Sequence, residues 1–147
     1  MEGNKISRLF TELSRSILDA EEKALITGEF SDISINDIHV MDAIGAGDAR
    51  QSSAVAHSLG VTMGTLTRAI DGLVKKDYVK RSKSSQDGRM VMLSLMPKGM
   101  RAQQRHSEFH ERMMRAALSQ FRPEETAFLE RSLDTIQSYF ISQVSYS

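Results

Sequence analysis

The chain has 147 residues, 40% hydrophobic and 26% charged with 19 basic against 19 acidic side chains, a composition that fits one globular domain and excludes a disordered chain. The absence of cysteine excludes disulfides, thiolate metal ligation and cysteine redox sensing. No apolar run approaches the roughly 20 residues that cross a bilayer, and the start lacks the basic-then-apolar pattern of a signal peptide, so no membrane role is expected.

In chain order, Ile6, Phe10, Leu13, Ile17, Ala20 and Ala24 recur at alternating spacings of four and three, which predicts a long helix with one apolar seam. Ser34 is placed to cap a second helix running through Ile38, Met41 and Ile44, with Asp37 in a capping-box position and Gly45 or Gly47 ending it.

Gly60 stands where a preceding helix must close in a left-handed residue, and Thr62 is suited to cap the next one, with Val61 and Leu66 as the hydrophobic pair across that cap. Leu66, Ala69, Ile70 and Leu73 then share one face. Gly64, Arg68, Asp71 and Lys75 point away from it, with Thr65 and Thr67 on the flanks. A helix buried on one side and short, polar and basic on the other has the layout of a DNA-reading helix.

Tyr78–Lys83 and Arg89–Leu95 read as strands, and Asp87-Gly88 between them predicts a hairpin. Val91, Leu93 and Leu95 form its inner face, and Lys83, Asp87 and Arg89 its tip. A reading helix with a basic-tipped hairpin directly after it is a winged helix, in which the helix enters the major groove and the wing reaches backbone or minor groove. The expected contact set is Thr62, Gly64, Thr65, Thr67, Arg68, Lys75, Lys83, Asp87 and Arg89. Arg68 suits the paired acceptors of guanine, Lys75 the phosphate backbone, and Arg89 the minor groove or a phosphate with Asp87 bracing its guanidinium. Charge agrees: residues 62–105 hold ten Lys/Arg against three Asp/Glu, whereas the rest hold nine against sixteen. The middle of a neutral chain is thus a footprint for a polyanion.

A further helix starts at Pro97 and runs through Phe109, Met113 and Ala117 until Arg122-Pro123 breaks it, linking the wing to a last helix. Pro123, Glu124 and Glu125 suit the first turn of that last helix, which carries a second seam through Leu129, Leu133, Ile136, Phe140 and Val144. A monomer would leave both terminal seams wet, at roughly 25 cal/mol for each Å² of apolar area left unburied. A homodimer is therefore expected.

These residues resemble the MarR family of bacterial transcription regulators. The resemblance rests on Leu59-Gly60-Val61-Thr62, on Thr65-Leu66-Thr67-Arg68, on Leu73–Arg81, on the wing Asp87-x-Arg89 and on Leu95-Met96-Pro97-Lys98-Gly99. Asp77 and Met96 depart from it: the family often has Gly and Thr there, although Asp tolerates the left-handed conformation better than most residues, and the helix after Pro97 lacks a side-chain cap. The resemblance implies a mostly α fold with a small β-wing, in one domain over 1–147. Residues 31–96 would form the winged helix-turn-helix DNA-binding unit, and 1–30 and 97–147 the dimerisation helices. It also implies a cytoplasmic protein, a double-stranded DNA operator as partner and no cofactor.

Within the family the chain is similar to repressors of fatty-acid synthesis found in streptococci and their relatives. The matching residues are Glu21-Glu22, Asp32–His39, Val61–Thr65, Gln86–Arg89 and Phe109-His110. That resemblance implies a long-chain acyl group on acyl carrier protein as co-repressor. Met41, Phe109, Met113 and Met114 are candidates to line its slot, and Arg8, Arg15, Arg101 and Arg105 to dock the acidic carrier. Glu21, His39, His106 and His110 are similar in type to the ligand set of zinc-sensing members, and imidazoles with a carboxylate suit zinc. The same residues also fit a hydrogen-bonded polar network. No nucleophile elbow, phosphate loop or two-His, one-Glu helix signature is present, so an enzyme is not expected.

Overall fold

The computed structural model describes residues 2–144. Its elements are α1 (Glu2–Leu25), a 3-10 turn at Gly28–Phe30, α2 (Ile35–Ile44), β1 (Arg50–Gln51), α3 (Ser52–Leu59), α4 (Met63–Lys75), β2 (Val79–Lys83), β3 (Val91–Leu95), α5 (Pro97–Leu118) and α6 (Pro123–Val144). The fold is mostly helical with one small antiparallel sheet in the order β1-β3-β2, the winged-helix class expected. It divides into two compact units, one up to Phe109 and one from His110 on, with the boundary inside α5.

Local chemistry sets the element ends in the first unit. Ser34 Oγ accepts from Asp37 N–H at 3.1 Å while the Asp37 carboxylate accepts from Ser34 N–H at 3.0 Å, so the capping box starts α2. Of the two glycines after α2, Gly45 ends it, with φ +76. Asp77, after α4, is left-handed at φ +65, a conformation whose cost Asp bears better than most residues.

β1, too short to show in the sequence, pairs Arg50 with Leu93 and Gln51 with Met92, and the Arg50 guanidinium donates to the Ala43 carbonyl at the end of α2. The wing strands pair from Val79–Leu95 to Lys83–Val91. Leu93 and Leu95 face the core as expected, but Val91, paired with Lys83 at the wing end of the strand, is 40% exposed, because the layer over the inner face does not close on it.

The core gathers Ile38, Met41 and Ile44 of α2, Val55 of α3, Leu66, Ile70 and Leu73 of α4, and Tyr78 and Leu93 around the sheet. Tyr78 is its polar anchor. Its hydroxyl donates to Asp32 Oδ1 at 2.6 Å and lies 3.2 Å from the Glu29 carbonyl, and its own carbonyl accepts from Met96 N–H at 2.9 Å. Lys98 Nζ stands 4.5 Å over its ring and 3.9 Å from Asp32 Oδ2. Gly99 is buried against that carbonyl, so backbone contact holds the first turn of α5 where Met96 offers no side-chain cap.

On α1, Ile6, Phe10 and Leu13 of the expected seam are exposed, Ile17 and Ala20 half-buried, and Ala24 packs on the core. In the second unit Leu129, Leu133 and Phe140 are exposed and Ile136 is half-buried. The Val144 side chain lies outside the described residues. Both seams are open apolar surface within a single chain.

Candidate nucleic-acid interface

The turn into α4 forms as its residues require. Gly60 closes α3 at φ +67 with its N–H shared between the carbonyls of Ala56 and His57, and Val61 N–H returns to Ala56 O at 3.1 Å. Thr62 Oγ1 then accepts from Thr65 N–H at 3.2 Å and caps α4. Leu66 is buried but Val61 is 37% exposed, so the expected staple shields only one of its two members.

Beyond the cap, Gly64, Thr65, Thr67, Arg68, Asp71 and Lys75 are exposed while Leu66, Ile70 and Leu73 are sealed. A Cβ on Gly64 would meet nothing closer than Thr62 Oγ1 at 4.0 Å, which leaves room for close approach of a partner. The threonine hydroxyls are already committed as donors: Thr62 to Thr65 Oγ1 at 3.0 Å and Thr67 to Met63 O at 2.8 Å. At Thr62 and Thr67 the hydroxyl therefore meets an incoming ligand as an acceptor, and Arg68 is the outward group that supplies several strong donors.

The wing tip is the loop 84–90. Ser84 N–H donates to Met90 O at 3.0 Å, Met90 N–H to Asp87 O at 3.1 Å, and Ser84 Oγ accepts from Gln86 N–H at 3.2 Å. Asp87-Gly88 thus lies within a longer loop and not in a two-residue turn, and Gly88 is not left-handed. Lys83, Asp87 and Arg89 are exposed. The contact between the last two differs from the expected one: Asp87 Oδ1 accepts from the backbone N–H of Arg89 at 3.0 Å. Asp87 shapes the loop and leaves the guanidinium to reach outward.

One pair went unnoticed in the sequence. Arg81, on β2, donates through Nη2 to Asp71 Oδ1 on α4, with the Thr67 carbonyl at 3.5 Å. Ten residues of separation across two element types give no periodic signal.

The effector candidates fall in different settings. Met41 is fully buried in the core, and Phe109 is half-buried against it. Met113 is half-buried and Met114 exposed, both in the second unit. The first unit instead holds an open groove of about 580 Å³ between α1 and α2, with apolar walls from Leu18, Ile26, Ile33 and Ile35 and a polar rim of Glu22, Ser34, Asn36 and His39.

Beside it, the Glu21 carboxylate is 3% exposed, with Oε2 at 3.0 Å from His39 Nε2 and Oε1 at 3.7 Å from His106 Nε2. The Asp42 carboxylate is 3.7 Å from His106 Nδ1, and the two imidazole centroids are 5.6 Å apart. His110 stands one turn further along α5.

The arginines expected to dock a carrier are largely engaged within the chain. Arg101 grips Glu29 with two bonds of 3.1 and 3.2 Å, which holds the Glu29 carboxyl below its ordinary value and raises Arg101. Arg105 donates to Ala24 O at 2.9 Å, where α1 ends, and lies over Phe30. Arg8 pairs with Glu12 at 3.9 Å on exposed α1, and Arg15 is exposed on the same helix.

The MarR family model matches residues 33–91, from α2 to the start of β3. The structure superposes on Streptococcus pneumoniae FabT, solved in complex with DNA, with a TM-score of 0.89 and 31% identity over 95% of this chain and 98% of that one. A Staphylococcus aureus MepR–DNA complex gives a TM-score of 0.73 at 22% identity over 90% and 96%, a likeness of fold. An uncharacterized HTH-type transcriptional regulator of Bacillus subtilis, YhjH, is 24% identical over 107 residues, 71% of this chain. The match spans 61% of that relative's length.

Proposed function

The chain belongs to the MarR family and is a transcriptional regulator of that type, and from there we propose that it reads duplex DNA as a homodimer. The observation that carries this reading is the outer face of α4, where exposed Thr65, Thr67, Arg68 and Lys75 share the basic segment with the exposed wing residues Lys83 and Arg89. Similarity to FabT, itself solved on DNA, supports it. Arg68 reads guanine, Lys75 and Lys83 hold phosphates, and Arg89 enters the minor groove or grips phosphate. The open seams of α1 and α6 support dimerisation. The test is selection of duplexes from a random pool: a pseudo-palindrome with half-sites about one helical turn apart is expected, and absence of enrichment overturns the reading.

As regulator, the chain represses fatty-acid synthesis genes in the cytoplasm, with a long-chain acyl group on acyl carrier protein tightening its grip on DNA. The resemblance to fatty-acid-synthesis repressors and the apolar groove between α1 and α2 favour this. Linkage then requires DNA to tighten carrier binding by the same factor.

A second reading, zinc sensing, is favoured by one observation: His39 Nε2 and His106 Nε2 stand 3.0 and 3.7 Å from the two oxygens of the buried Glu21 carboxylate. Imidazoles with a carboxylate suit that ion. Non-denaturing mass spectrometry of the purified protein, then duplex affinity with acylated carrier, bare carrier, zinc and chelator in parallel, separates the two. Tightening by acylated carrier alone supports the first; tightening by zinc with reversal by chelator supports the second.

A further inference from the structure

The Asp71–Arg81 pair stands in the wrong place for a stabilising contact and in the right place for a discriminating one. Its side chains are 60% and 35% exposed, and ion pairs so open to water contribute little to stability. Asp71 lies on the outward face of α4, three residues beyond Arg68 and four before Lys75, and is one of three acidic groups in a segment with ten basic ones. An unpaired carboxylate there would repel a phosphate backbone. Arg81 cancels it, and Asp71 in turn withholds the Arg81 charge.

The pair also spans a gap. Between α4 and the wing stem is a crevice of about 350 Å³ lined by Met63, Leu66, Ile70, Val91 and Leu93, with Asp71 and Arg81 at its rim. Beneath it Leu66, Ile70 and Leu93 pack in the common core; at the outer rim the ion pair is what joins the two elements.

We propose that Asp71 and Arg81 are specificity-determining positioning residues: Asp71 removes one phosphate-seeking charge from the interface and fixes the wing stem against the reading helix, so that binding depends more on Arg68 and less on generic charge. This rests on the reading of α4 and the wing as a DNA interface. Each phosphate a cation neutralises releases counterions and steepens the dependence of log affinity on log salt by about 0.9. Freeing Arg81 adds one such contact on any sequence, while the loosened wing stem costs binding only on the selected duplex, where Arg68 must be held in register with its base, so the gain shows on the scrambled duplex and the ratio falls.

The test uses the full chain with two 30-bp duplexes, one recovered by selection and one scrambled. Asp71→Asn is expected to bind the scrambled duplex more tightly, steepen its salt slope by about 0.9 and lower the selected-to-scrambled ratio roughly threefold near physiological salt. Asp71→Ser should do the same without an amide to mimic the carboxylate. Arg81→Gln, which bares Asp71, should weaken both duplexes, and Asp71→Asn with Arg81→Gln should restore the wild-type slope on the scrambled duplex. An unchanged slope and ratio in both Asp71 variants, or equal weakening on both duplexes, reduces the pair to a structural contact and overturns the proposal. If the wild type itself fails to prefer the selected duplex, the DNA-reading interpretation falls first and the proposal with it.

Discussion

Gly99 passes so close beneath Tyr78 that a Cβ at the glycine would stand 2.2 Å from the Tyr78 carbonyl oxygen, 3.2 Å from its carbon and 3.4 Å from Leu95 Cδ2. The obstacle is backbone on one side and a buried leucine on the other, and neither gives way cheaply. Gly99→Ala should therefore destabilise by about 1–3 kcal/mol through overpacking. Gly72, inside α4 with nothing within 4 Å of its virtual Cβ, is the counter-case: Gly72→Ala should stabilise by about 0.5–1 kcal/mol through helix propensity alone. Urea unfolding of the two variants should show midpoints displaced in opposite directions.

The same tyrosine sets a pH dependence. Its hydrogen bond holds the Asp32 carboxyl below the ordinary 3.8, against a smaller opposing effect of burial. Burial, then the Asp32 bond, pushes the Tyr78 phenol above its ordinary 10.0. On acidification the unfolded chain takes the Asp32 proton first, so the contribution is full above 3.8 and is lost as pH falls through the lowered folded value. On the alkaline side the unfolded phenol ionises first, so stability falls as pH rises above 10.0. Tyr78→Phe should flatten both limbs in a series of denaturation curves; limbs that keep their slopes would assign them to other groups.

Arg68 and Lys75 share the outer face of α4 but are given different tasks. Arg68→Ala should cost about 1–3 kcal/mol on the preferred duplex and relax discrimination at one position, whereas Lys75→Ala should weaken all duplexes alike and reduce the salt slope by about 1. Binding titrations across salt and sequence check this. Identical behaviour of the two variants would remove the assignment.

The exposed row of Leu133 and Phe140 on α6 calls for a partner surface. Leu133→Glu with Phe140→Glu places two charges on that seam and should shift light scattering from a dimer mass to a monomer mass. Melting of the wild type should rise with protein concentration, a dependence the double variant lacks.

Much of this geometry was legible because it is local. Gly60, Thr62 and the Ser34–Asp37 box act within four residues of where they stand, and the face of α4 comes from its period. The left-handed backbone at Asp77 agrees with the glycine that the resembled family often has there and has no signal in the residue itself. What sequence missed is long-range or too short to repeat. β1 has two residues, and alternation cannot be seen in two. The Tyr78 hydroxyl finds Asp32 46 positions away, and Arg81 finds Asp71 across a strand and a helix. Val91 fits the alternation yet lies in water, because period gives the side of a strand and not how far the covering layer extends. Asp87 braces a backbone N–H where a guanidinium was expected, since one carboxylate near an arginine offers both choices.

α1 is buried at one end and bare at the other: Glu21 and Leu25 are sealed, while Ile6, Phe10 and Leu13 face solvent. In hydrogen-exchange terms it is one helix with two clocks. Amides in its last turns exchange only when the core opens, whereas those before Leu13 exchange through local fraying of a segment without tertiary cover. A second chain laid over the seam slows only the latter, so the gradient of deuterium uptake along α1 reads the subunit equilibrium and the global stability in a single measurement.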